Sequence, residues 1–121
     1  MILGNSIKVC LAVQPCDMRK SFDGLSAIVF NELKDDLKSS KLFVFCNKTR
    51  TRVKMLYWDG SGLWVMAKRL EKGTFSWPAT LQDQNGKANI KAEALHMLLN
   101  GIDLKDGVSR AWHEEPISNY E

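Results

Sequence analysis

Residues 7–13 form a β-branched, apolar run, and Pro15 follows at once, which predicts a buried strand brought to a stop. Asp17 then offers a helix N-cap. Met18, Phe22, Leu25, Val29 and Leu33 recur at spacings of three and four, so a helix with one apolar face is predicted from Asp17 to about Leu37, weakened but not broken by Gly24. Residues 42–46, 53–58 and 63–69 are short strand-like runs. Asn47-Lys48-Thr49-Arg50 and Asp59-Gly60-Ser61-Gly62 punctuate them, predicting a three-stranded antiparallel meander. A short strand at residues 74–77 and a polar loop at 82–89 are expected next. A second helix is predicted from about Lys91 to Asn100, with Leu95, Leu98, Leu99 and Ile102 on one side. Gly101 ends it as a left-handed cap that folds Ile102 back onto Met97.

This order of elements predicts an α+β fold, an antiparallel β-meander sheet packed against two or more helices. One domain is expected over residues 1–104, with a loosely ordered tail from 105 to 121. A chain of 121 residues, 45% apolar and 26% charged, suits a single core, and no apolar run reaches the length of a membrane-spanning helix. The first residues lack the basic start and long apolar stretch of a secretory signal, so a cytoplasmic location is expected, with no membrane partner. Three cysteines without close pairing fit a reducing compartment.

Side-chain alternation allows the meander to be read by faces, because hairpin loops of even length keep paired residues on one side. With two even turns, Phe43, Phe45, Arg52, Lys54, Leu56, Trp58, Leu63, Val65, Ala67 and Arg69 share a face. Val44, Val53, Met55, Tyr57, Trp64 and Met66 share the other, which is the better candidate to lie under both helices.

Charge sharpens this picture. The net charge is +3, but residues 41–72 alone carry +6, with eight Lys and Arg against Asp59 and Glu71. Charge this concentrated is the footprint of a phosphate-binding surface. The candidate DNA-binding residues are Arg19, Lys20, Lys48, Arg50, Arg52, Lys54, Lys68, Arg69 and Lys72. Phe43 and Trp58 could stack on bases, yet large rings in strands are usually core, and most of the aromatics are assigned to packing. Arg19 and Lys20, at the predicted start of the first helix, either hold an anion there or are neutralised by Asp17 and Asp23.

Catalysis finds little support. A metal-dependent nuclease needs two or three converging carboxylates, and Asp17 reads as a cap, Asp59 as a turn residue and Glu71 as an ion-pair partner. His96 and His113 have no metal-ligand spacing or nucleophile beside them, and no Gly-rich phosphate loop is present. No enzyme activity, metal or cofactor is expected.

The run from Pro15-Cys16-Asp17-Met18-Arg19-Lys20-Ser21-Phe22-Asp23-Gly24-Leu25, the strand Leu42-Phe43-Val44-Phe45 and the block Lys54-Met55-Leu56-Tyr57-Trp58-Asp59-Gly60 resemble the TnpB-type accessory proteins of the insertion-sequence sixty-six family. Lys68-Arg69-Leu70-Glu71-Lys72-Gly73-Thr74-Phe75-Ser76-Trp77-Pro78 and Leu98-Leu99-Asn100-Gly101-Ile102-Asp103 extend the resemblance across residues 7–104. Ser21 departs from it, standing where the family pattern has glycine. The resemblance implies a non-catalytic accessory protein in DNA transposition, working beside a separate transposase that carries the catalytic acids. DNA is the partner expected from the charge. The alternative is a protein-protein interaction module that recruits or holds the transposase.

Overall fold

The computed structural model describes residues 7–78 and 85–101. Five strands, β1 (Lys8–Ala12), β2 (Lys41–Cys46), β3 (Arg52–Trp58), β4 (Leu63–Arg69) and β5 (Lys87–Ile90), form one sheet in the order β4-β3-β2-β1-β5. Helix α1 (Phe22–Asn31) crosses between β1 and β2, the one parallel pair, and α2 (Ala92–Leu99) follows β5. The other three pairs are antiparallel, giving a single small α+β domain.

The face arithmetic of the meander holds. Cross-strand pairs Phe43–Leu56, Phe45–Lys54, Lys54–Ala67, Leu56–Val65 and Arg52–Arg69 place all of these residues on one side. The helices do not share the opposite side, however. Leu25, Ile28 and Val29 of α1 pack with Cys10, Phe43, Phe45 and Leu56, on the face that carries the basic residues. Leu95 and Leu98 of α2 pack on the other face with Val9, Leu11, Val44 and Val53. A sheet with a central strand buried on both faces needs a cover on each, and β2 is such a strand: residues 42–46 are all buried. Phe43 and Phe45 are fully enclosed, which settles them as core.

Several boundaries move. Helix α1 starts at Phe22 instead of Asp17 and ends at Asn31 instead of Leu37, leaving through Lys34 in the left-handed region at φ 53°. Met18 and Leu37 still pack on the same cluster as α1, from loops, and so imitated a longer helical stripe. Residues 74–77 are not a strand; Phe75 is buried and its amide donates to the Arg50 carbonyl at 2.7 Å. The polar run expected as a loop supplies β5, whose Ala88 faces the core while Asn89 faces away. Gly101 takes φ 79° after α2, as a glycine stop requires, and Ile102 and the tail lie outside the described residues.

An ion triad ties the crossover to both strands beside it. Asp35 accepts from Lys41 Nζ at 2.8 Å and Lys87 Nζ at 3.0 Å, with only 8% of its side chain exposed. Burial pushes its carboxyl up, but the hydrogen bonds from Lys41, the Asp36 amide and Lys87 outweigh that and leave it below the ordinary value.

Candidate nucleic-acid interface

Three loops meet at one end of the sheet. The Cys16 amide donates to the Cys46 carbonyl at 2.8 Å, the Leu70 amide to the Thr51 carbonyl at 2.9 Å, and Lys54 Nζ to the Lys20 carbonyl at 2.7 Å. Segments 13–20, 47–52 and 69–73 are thereby drawn to the same rim, and with them the two basic stretches of the sequence. Asn47 fixes the middle loop: its Oδ1 accepts from the Thr51 and Arg52 amides, and its Nδ2 donates to both Thr49 and Thr51.

At the centre lies a cleft of about 330 Å³ lined by Met18, Arg52, Lys54, Ala67, Arg69 and Glu71. Arg52 and Arg69 stand directly opposite each other on β3 and β4. Like charges in that position repel, so the pair costs stability and gains from an anion between or above it. Arg69 is balanced by Glu71 at 3.2 Å, both groups well exposed. Arg52 is exposed and makes no ion pair with a described residue.

The remaining candidates divide by what holds them. Arg19 is gripped by Asp17, whose two oxygens accept from its guanidinium at 2.7 to 3.1 Å. That contact and the Arg19 amide hold the Asp17 carboxyl down to about 2. Asp17 is thus a turn residue, not the helix cap, and Arg19 and Lys20 precede α1 instead of occupying its first turn. Lys20, Lys48 and Lys72 are exposed. Lys68 sits on the opposite face and donates to the Leu99 carbonyl at 2.6 Å, closing the end of α2 where the helix dipole favours a cation.

Arg50 points inward. Its backbone is left-handed at φ 60°, its guanidinium lies 5.6 Å from the Trp77 ring centre, and Nη2 donates to the Val13 carbonyl at 3.5 Å. Nη1 is buried with no hydrogen-bond partner among the described residues. Its charge is spent on packing the loop against β1, not on the outer surface.

The acids of the basic region have structural assignments. Asp59 accepts from the Ser61 and Gly62 amides and from the Trp64 indole at 2.8 Å, and these bonds, led by the Ser61 amide, hold it down to about 2. No three His, Cys, Asp or Glu side chains converge among the described residues. No helix among them is long and apolar enough to cross a membrane. Sequence reasoning missed Met18, which lines the cleft from a loop, and Lys38, whose ammonium lies 4.9 Å from the Trp58 ring centre and covers that ring.

The family model described as IS66 Orf2 like protein matches residues 7–108. The chain belongs to this family. Membership implies an accessory role in the transposition of an insertion sequence. Two proteins of Sinorhizobium fredii (strain NBRC 101917 / NGR234) are similar to it. Uncharacterized protein y4jC is 34% identical over 97 residues, 80% of each chain. Uncharacterized protein y4hO is 34% identical over 100 residues, 83% of this chain and 84% of that protein. No solved structure gives a significant match.

Proposed function

We propose that this protein is a non-catalytic accessory factor that binds DNA through the rim at the Arg52–Arg69 end of its sheet. The observation that carries the reading is the directly opposed arginine pair, with exposed Lys20 on the adjoining loop; Lys54, on the same face, is tied by its ammonium to the Lys20 carbonyl and adds charge beside the pair. Two arginines rooted directly across from each other on adjacent strands can converge on phosphate oxygens, which relieves their repulsion. Lys48 and Lys72 on the neighbouring loops widen the positive field. Arg50 and Lys68 have their charged groups engaged with Trp77 and with the end of α2, and contribute mainly long-range charge.

A salt titration of binding to element-end and random duplexes tests this. The double variant Arg52→Ala, Arg69→Ala should bind more weakly and flatten the log–log salt slope by about 0.9 for each lost phosphate contact. Unchanged affinity and slope would overturn the proposal. Tighter binding to element ends than to random DNA would add sequence recognition to charge.

A second reading, that the protein holds the transposase, draws on the outward side of α1. Phe30 is 72% and Phe22 47% exposed, about two turns apart along the helix. Aromatic side chains left in water are a motive for a protein contact. Phe30→Glu should then abolish capture of the transposase in nuclease-treated extract while leaving the salt slope of DNA binding alone.

A further inference from the structure

We propose that β4 is a dimerisation edge, pairing antiparallel with β4 of a second copy about a twofold axis at Met66 to make one continuous sheet. The strand is at the end of the sheet order, runs for seven residues, and bonds only β3 among the described residues. Such an edge is a ready template for another strand unless it is short, bulged or charged along its length. Only its last two residues, Lys68 and Arg69, are charged.

The hydrogen-bond phase identifies which groups point outward. The Asp59 amide donates to the Gly62 carbonyl and the Leu70 amide to the Thr51 carbonyl, so in the alternating ladder Trp64, Met66 and Lys68 bond to β3. Leu63, Val65, Ala67 and Arg69 therefore direct their N–H and C=O groups to the open edge. Centring the twofold at Met66 matches these outward groups: Val65 pairs with Ala67 of the second copy and Leu63 with Arg69, for about eight new backbone hydrogen bonds.

Self-complementarity selects a copy of the same strand as the occupant. The apolar first half of β4 meets the basic second half of its mate, and no like charges stand opposite each other. Trp64 is held by Asp59 and remains 45% exposed, on the face shared with Lys68. In the pair it lies across from the other copy's Lys68, whose ammonium is already committed to Leu99, so the ring covers the methylene stem. Since the axis is perpendicular to the sheet, both Arg52–Arg69 clefts face the same way, with the two Arg69 positions roughly 20 Å apart along the strands. The pairing stands independently of what those clefts bind.

Met66 meets its own copy as a non-hydrogen-bonded pair, where Cα atoms approach to about 4.5 Å and a disulfide is accommodated. Met66→Cys should form a covalent dimer under mild oxidation, and Val65→Cys should do so poorly. The three native cysteines are buried and give little background. Ala67→Pro removes an outward N–H while leaving the β3–β4 bonds intact, and should raise the dissociation constant at least tenfold by analytical ultracentrifugation, with an unchanged monomer circular-dichroism spectrum. A monomeric wild-type chain up to hundreds of micromolar would overturn the proposal. So would a dimer that neither cross-links at position 66 nor responds to Ala67→Pro, which would point to another surface such as Phe22 and Phe30.

Discussion

At the scale of single residues, Arg50 and Arg52 show how neighbours of the same type part company. Two positions apart in one basic turn, they are equivalent on charge alone. Val13 and Trp77, 37 and 27 positions away, draw Arg50 inward. Arg50→Ala should cost about 1–2 kcal/mol in denaturant unfolding through the lost ring contact and hydrogen bond, with the DNA salt slope unchanged. Arg52→Ala should do the reverse.

Asp35 is a second residue whose role the sequence did not show, because its lysines come from β2 and from β5. Asp35→Asn removes the carboxylate that the largely buried Lys41 and Lys87 ammonium groups share and should cost about 2–3 kcal/mol at pH 7. The carboxyl is lowered from its ordinary 3.8 in the folded chain, so the stabilisation is complete well above pH 4 and is lost as pH falls through the folded value. Acid unfolding of Asp35→Asn should accordingly show a shallower decline below pH 4 than the wild type.

At the scale of elements, period alone overextended α1. The helical spacing of Met18 and Leu33 arises because loop residues feed the same core cluster from either end of a ten-residue helix. Strand β5 escaped for the opposite reason. Lys87-Ala88-Asn89-Ile90 is too short and polar to register as a strand, and its pairing with β1, from Val9–Ile90 to Ala12–Lys87, forms across some 75 residues of chain.

Gly24 offers a test at this scale. Replacing a helical glycine with alanine ordinarily adds about 0.5–1 kcal/mol. Here the new Cβ would meet Lys20 Cβ and Cγ at 3.0 Å, while the Lys20 carbonyl receives Lys54 Nζ. Gly24→Ala should therefore bring less than half the usual gain in thermal unfolding, because the Lys20 segment must shift.

At the scale of the molecule, the core is divided by the sheet into two clusters, each closed by one helix. Cys10, Cys16 and Cys46 are buried, and burial pushes the Cys16 and Cys46 thiols above their ordinary value. Native protein at pH 8 should thus resist a disulfide-exchange reagent over minutes, whereas all three thiols react after denaturation. Rapid labelling of even one would show that the packing opens locally.

Local pattern determined the meander, the concentration of positive charge and the family resemblance, since each depends on residues near in sequence, while the register of the strands showed that both turns are even. Tertiary structure decided which helix covers which face, because that depends on the crossover from β1 to β2 and on β5. It also decided which cations remain outward. A side chain's charge is written in its sequence position, but its availability depends on the carbonyls, rings and carboxylates that distant segments bring within reach.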